Sequence, residues 1–470
     1  MTPGTRGRAT QPRRPQRVAV IGGGLAGLTA ALACADAGAH VVLVERRRRL
    51  GGLTWSFERR GLSVDNGQHV FLRCCHAYQR FLERIGSAGD VELQDRLDIT
   101  VLRPGAGGPT RARLRGDGLP APLHLARSLL GYRHLALADR LRLGRAVLPL
   151  RRLDLDDPTL DRTTFGAWLG EHGQGPRAVA ALWDLITVPT VNLPAASASL
   201  AMGAKVFQTG LLTDRRAADI GWSRIPLGTL HGARAHAALE EAGVDIRLGC
   251  RVTGVRQEHG ASGWIVDTDQ EASVLDDVIV AVPHHDLPGL IPAGSIDHQD
   301  ELAALGTSAV VDVHVVFDRP VLDQAFVAAI DSPAQWIFDR TASSGLAASA
   351  GRQYLAVSLS AADGHLHRHP EELVALVTAE LPRLVPRAAG ARVVDAFVTK
   401  ERAATFRAAP GSARLRAGAV SRRPGLYLAG AWTDTRWPAT MEGAVRSGQA
   451  AARAALLAVG QTRELPQEVA

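Results

Sequence analysis

Lysine is nearly missing from this sequence: Lys205 and Lys400 are the only two in 470 residues. The basic surplus, 54 Lys and Arg against 47 acids for a formal charge of +7, is therefore carried by arginine. A GC-rich codon bias accounts for that choice, with attraction to anionic lipid or another polyanion as the alternative; no nucleic-acid partner is expected. Cysteine is scarce as well. Cys34, Cys74, Cys75 and Cys250 show no C-x-x-C spacing and no partnering histidine cluster, so neither a metal site nor a disulfide framework is expected. No stretch approaches the roughly 18 apolar residues of a membrane span, and the opening MTPGTRGRATQPRRPQ lacks the apolar segment of a secretion signal. The expectation is a cytoplasmic protein with a disordered basic tail over 1–15 and a flexible tail over 461–470. Peripheral contact with an anionic membrane surface stays open. Internal repeats and low-complexity linkers are also lacking.

What is present is ordinary globular material, 46% hydrophobic and 21% charged, in a chain long enough for two units with substantial cores. Residues 17–45, RVAVIGGGLAGLTAALACADAGAHVVLVE, read as strand, glycine turn, Ala/Leu-rich helix and second strand. Gly22, Gly24 and Gly27 fit G-x-G-x-x-G, with Leu25 and Ala26 opening the helix. The first glycine permits the tight turn, the second lets backbone approach a pyrophosphate, and the third lets helix pack on strand. A diphosphate would sit on the helix N-terminus. Glu45, ending the second strand, is placed to accept both ribose hydroxyls of an adenosine. NAD and FAD share these features. The continuation ERRRRLGG, with Arg49 and a second glycine turn at Gly51 and Gly52, favours the longer cofactor, FAD.

With Glu45, Arg49, Gly51 and Gly52 in place, the segment resembles the amine oxidase and carotenoid-desaturase superfamily of flavoproteins. DNGQHVFLRCC (65–75), ALWDLITVPTVNLPA (181–195), AKVFQTGLL (204–212) and WTDTRWPATMEGAVRSG (432–448) are similar, within it, to the hydroxysqualene dehydroxylases. The resemblance implies an α/β fold: a Rossmann-type, glutathione-reductase-like FAD domain beside an α+β substrate domain with an antiparallel sheet and a helical lid. It implies that the strand at 425–430, ending in Gly430, meets a helix opened by Thr440, Met441 and Glu442, whose N-terminus points at the flavin. Trp432 and Trp437 would wall the ring or the substrate tunnel, Gln68 would line the flavin, and Val252 would lie where adenine is clamped. One position departs from the superfamily: Ala431 stands where an acid helps bind the ribityl or diphosphate region. Asp434 is the candidate to compensate.

The FAD domain is expected to be discontinuous, over 16–90, 222–290 and 420–460, with the substrate domain at 91–221 and 291–419. Residues 122–157, with leucines at mixed three and four spacing among arginines, suit an amphipathic helix. It would be a lid, a membrane-surface contact, or both. The activity implied is reductive removal of the hydroxyl of hydroxysqualene, a lipophilic C30 isoprenoid alcohol, to give squalene. For the acid that helps the hydroxyl leave, His69 is the first candidate and Asp65 the second. Asn192 and Gln208, polar residues in apolar runs, are tunnel candidates. A carotenoid-type polyene desaturase or isomerase, a flavin amine oxidase and a non-enzymatic isoprenoid-binding flavoprotein are the alternatives.

Overall fold

The apolar runs RVAVI and HVVLVE form adjacent parallel strands, Arg17–Ile21 and His40–Glu45, joined by the helix Leu25–Asp36. The computed structural model describes residues 14–258, 263–346 and 351–458. The expected tails at 1–15 and 461–470 fall outside these residues, except for 14 and 15. Three strands from distant stretches extend the first pair. Asp245–Leu248 lies beside His40–Glu45, Asp277–Val280 beside Arg17–Ile21, and Leu426–Leu428 beside Asp277–Val280, all parallel. A parallel sheet is covered on both faces, which is why these runs are apolar without alternation.

The last helix, Met441–Ala458, packs on Leu25–Asp36 at very short range. A Cβ on Gly448 would stand 2.2 Å from the Ala26 carbonyl oxygen, and one on Gly27 only 1.8 Å from that of Gly22. Small residues at these crossings let both helices sit on the same sheet, so the two ends of the chain meet.

A second sheet of seven strands runs in the order Val393–Phe406, Thr307–Phe317, Gln353–Leu359, Trp336–Asp339, Phe326–Ala329, Asp98–Arg103, Thr110–Arg115. It is mixed rather than purely antiparallel, because Phe326–Ala329 pairs in parallel with Asp98–Arg103. The helix Pro370–Leu384 covers one face, burying Leu373, Val377 and Leu381 at helical spacing. Residues 122–157 do form helices, Ala126–Leu130, Leu137–Arg142 and Gly144–Arg152. Their buried side chains, Leu143, Ala146 and Leu150, join a cluster with Phe165, Trp183 and Phe207. The segment therefore roofs the helical core of the substrate unit and contributes nothing to the wall of the cleft described next. Among the described residues no helix is long and apolar enough to cross a membrane.

Candidate active site

The carboxyl ends of the parallel strands build the site. Ile21, Glu45, Ala281 and Gly430, each at or just past a strand end, line one cavity of about 610 Å³, at the place where open α/β sheets bind ligands. Gly22 turns the chain there with φ +109°. The two glycine turns abut: a Cβ on Gly52 would fall 2.8 Å from the Gly24 Cα, so bare backbone from both faces the cleft. Leu25 and Ala26 continue this wall, while Gly27 stands behind it against Gly22. Glu45 is locked in place, its Oε2 accepting from Gly23 N–H at 2.6 Å and Oε1 from Arg47 N–H at 2.8 Å. Val252 lies in the same wall. Arg49 stacks 4.0 Å over the Trp55 ring and donates to the Gly52 carbonyl at 3.1 Å. Burial and then the neighbouring Arg47 lower its pKa to about 10, which leaves it charged at neutral pH.

Further along, Thr440 and Met441 bring the N-terminus of the last helix to the cleft, with Thr440 Oγ1 accepting from Gly443 N–H at 3.1 Å. Gln68 lines the same region, and its buried Nε2 has no partner among the described residues. Trp432 is also in the wall, its indole N–H donating to the Val282 carbonyl at 2.9 Å. Beyond these the cavity continues to the second sheet, where Val310, Trp336, Ser358 and Glu401 form its far wall. One space thus joins the glycine turns to the second sheet.

Several residues expected in this space are engaged elsewhere. Asp65 is buried outside the wall: its Oδ1 accepts from Ser56 Oγ and Leu227 N–H, and its Oδ2 from Arg340 at 2.7 Å. A carboxylate so fully bonded anchors structure. Gln208 donates to the carbonyls of Leu150 and Leu153, both at 2.8 Å, at the C-terminal end of the helix Gly144–Arg152. Trp437 is a core ring with Lys205 Nζ 5.1 Å and the Arg446 guanidinium 4.9 Å from its centroid. Asp434 is exposed and accepts from Arg436 N–H at 3.1 Å, away from the cleft. Glu442 turns its side chain inward to the start of the helix His76–Arg84, accepting from Ala77 N–H at 3.2 Å and Tyr78 N–H at 2.7 Å. Asn192 does reach the cleft, but its amide is committed to the second sheet: Nδ2 donates to Ser308 O and Thr405 Oγ1, and Oδ1 accepts from Ala361 N–H.

His69 lines the cleft and donates from Nδ1 to the Gly67 carbonyl at 3.1 Å. Burial lowers its pKa, so the ring is neutral near pH 7 and offers Nε2 as an acceptor. That suits orienting a hydroxyl, not protonating one. The acid missed in the sequence is Asp312. It is 1% exposed, pairs in register with Ser358 of the cleft wall, lies against Gly67, and its Oδ1 has no hydrogen-bond partner among the described residues. Burial raises its pKa to about 7, against the opposing hydrogen bonds from Ser358 and the Gln68 backbone. Its signal was an acid amid the valines of VDVHVVFD (311–318), on the strand face opposite Val311 and Val313.

Comparison with known proteins decides what this cleft is built on. A family model of flavin containing amine oxidoreductases matches residues 25–456. The chain belongs to that family. It is an FAD-dependent oxidoreductase of the superfamily that holds amine oxidases and carotenoid desaturases. The chain is 29% identical over 463 residues to a hydroxysqualene dehydroxylase of Rhodopseudomonas palustris, covering 94% of this chain and 98% of the relative. A hydroxysqualene dehydroxylase of Sinorhizobium fredii is 29% identical over 455 residues, covering 95% and 99%. A zeta-carotene desaturase of Synechocystis is 26% identical over 492 residues, covering 94% and 97%. Among solved structures, putrescine oxidase bound to putrescine superposes with a TM-score of 0.72 at 20% identity, covering 95% of this chain and 100% of that one. Cyclohexylamine oxidase from Brevibacterium oxydans does so at 0.69 and 18%, covering 95% and 100%. These two show the fold: a parallel Rossmann-type sheet with a mixed sheet in the substrate unit.

The cleft suits the cofactor that membership implies. Glycine backbone for a diphosphate, Glu45 for a ribose, the Arg49 cation and the unpartnered amide of Gln68 all face one cavity. Neither lysine lines it; Lys205 sits against Trp437, and Lys400 donates to the carbonyls of Leu366 and Arg368.

Proposed function

We propose that this protein reductively removes the hydroxyl of hydroxysqualene to give squalene. The observation that carries the reading is similarity, over nearly the full length of both chains, to hydroxysqualene dehydroxylases of three bacteria at 26–29% identity. In this reaction an allylic C–O bond breaks, the oxygen takes up a proton and leaves as water, and hydride adds to the carbon. Reduced FAD, when bound, supplies the hydride. The chain must supply the proton and keep water from the cationic centre.

Asp312 supports the first requirement, since burial raises its pKa to about 7 and so keeps a large share of this carboxyl protonated near neutral pH, where an ordinary aspartate is ionised. It stands behind Ser358, whose hydroxyl is the group able to pass a proton into the cleft. Neutral His69 would orient the substrate hydroxyl through Nε2. Val310, Trp336 and Phe406 give that end of the cleft apolar walls for a hydrocarbon chain. A polyene desaturase is the second reading, favoured by the full-length match to zeta-carotene desaturase. That chemistry abstracts hydride and sheds a proton, so it calls for a base where Asp312 offers an acid. An amine oxidase needing a flavin-facing lysine is disfavoured by the positions of Lys205 and Lys400.

The test is anaerobic. The bound flavin is photoreduced, hydroxysqualene is added, and squalene is sought by mass spectrometry as the oxidised flavin spectrum returns. Squalene formation matched to flavin reoxidation is the expected result. Reoxidation by neither hydroxysqualene nor its analogues, with a polyene dehydrogenated in a parallel aerobic trial, would move the assignment to desaturation.

A further inference from the structure

The stretch from Leu119 to Leu148 carries an apolar surface that the fold leaves uncovered. Half of the large apolar side chains exposed among the described residues lie there: Leu119, Leu123, Leu130, Leu137, Leu141 and Leu148, at 49–69% exposure. Leu143 continues helical backbone (φ −53°, ψ −38°) between Leu137–Arg142 and Gly144–Arg152, so the two run as one helix. On it Leu137, Leu141 and Leu148 follow four- and seven-residue spacing on one side, while Leu143, Ala146 and Leu150 are buried on the other. Arg140 donates to the carbonyls of Leu130 and Leu135, at 2.6 and 2.9 Å, and so holds Leu130 alongside.

A basic hollow borders the same stretch. Arg96, Arg111, Arg113, Arg115, Arg127 and Arg133 line it. Ser128 ties the leucine-bearing helices to it, accepting from Arg115 N–H at 2.9 Å and donating to the Arg113 carbonyl at 2.6 Å. Asp117 in the wall and Asp98, paired with Arg113 and Arg115, oppose part of this charge. Guanidinium groups gathered in this way match phosphate oxygens bidentately. Exposed leucines beside them suit the acyl boundary just below a headgroup layer. A second copy of the chain is a poorer occupant, because a two-fold contact would set one cationic hollow against another.

We propose that residues 119–152, with the arginine hollow at their edge, dock on a membrane surface carrying anionic phospholipids. The docking is independent of which substrate the cleft takes, and its test uses no substrate. Purified holoprotein is sedimented with vesicles of phosphatidylcholine alone and of phosphatidylcholine with about one-third phosphatidylglycerol. Binding is expected to the second kind only, weakening as salt rises from about 0.1 to about 0.5 M because the attraction is screened. Two variants then separate the parts: Leu137→Ser/Leu141→Ser/Leu148→Ser, and Arg111→Gln/Arg115→Gln/Arg133→Gln. Each is expected to lower vesicle binding about tenfold or more while the flavin spectrum and circular dichroism stay as in the parent. No binding to either vesicle overturns the proposal, as does binding by both variants that is undiminished from the parent's. A leucine variant that converts a dimer to monomer in light scattering, in a protein indifferent to lipid, assigns the surface to self-association instead.

Discussion

Arg340 and Asp65, 275 residues apart, form an ion pair at 2.7 Å in which both side chains are under 10% exposed. Arg340 also donates to the Ser223 carbonyl at 3.1 Å, and Asp65 to Leu227 N–H is an acceptor at 2.9 Å, so the pair joins the second sheet to the strand and turn at 220–228. Removing one partner strands a buried charge. Arg340→Ala is expected to lower stability by about 3–5 kcal/mol, read as a shift of the urea midpoint. Asp65→Asn should behave in the same direction and lose turnover only in proportion to lost folded protein; a well-folded Asp65→Asn without turnover would return Asp65 to the chemistry.

The contact of the final helix with the first offers a separate test. Because a Cβ at 448 would meet the Ala26 carbonyl at 2.2 Å, Gly448→Val must push the helices apart. The expected cost is about 1–3 kcal/mol of stability. Since Met441 and Ala26 both line the same cleft, flavin content per mole of protein should fall as well. Full flavin retention would mean that the last helix is not part of the cofactor wall.

The nucleotide half of the site was legible because its signals are local. Gly22, Gly24, Glu45, Arg49, Gly51 and Gly52 lie within thirty-one residues, and their spacing alone dictates turn, helix and strand end. The misplaced residues fail for the opposite reason. Asp65 answers to Arg340, Gln208 to carbonyls at 150 and 153, and Trp437 to Lys205, partners that no periodicity or motif near those residues announces. A polar residue in an apolar run signals burial with a partner, and the sequence does not say whether that partner is ligand or protein. Asp312 was legible in principle, since an acid between valines on a buried strand is costly without a reason. The mixed character of the second sheet was not, because the parallel pairing of 326–329 with 98–103 joins stretches more than two hundred residues apart.

Glu442 yields a third expectation. Its carboxylate caps the helix His76–Arg84 and accepts from Arg446 Nε at 2.7 Å while 1% exposed. Glu442→Ala removes a cap with its favourable charge at a helix N-terminus and leaves two N–H groups unpaired, so a loss of about 1–3 kcal/mol is expected. Glu442→Gln keeps one acceptor and should recover part of it. The wavelength of the flavin absorption bands should not move in either variant, because the side chain points away from the cleft.

The pH dependence of stability and turnover tests Asp312. Its carboxyl titrates at about 7 in the fold against an ordinary 3.8. Between those values the native state binds more protons than the unfolded chain, so the contribution of this group is complete below about pH 4 and is lost as pH rises through about 7. A displacement of that size corresponds to something on the order of 4 kcal/mol. Asp312→Asn should therefore flatten the fall in stability of the parent between pH 4 and 7, measured by urea unfolding at several pH values. If the carboxyl also holds the departing proton, kcat of the parent should decline above about pH 7 as the proton is lost. The variant should then turn over about 10²–10⁴-fold more slowly, with that decline absent. Ser358→Ala should share the slow rate, because it breaks the route for the proton. It should still lose stability as pH rises, with the fall moved to higher pH, because it removes a hydrogen bond that holds the Asp312 pKa down while leaving the buried acid in place. A variant at 312 whose pH profiles match the parent in both measurements would remove the acid from this position.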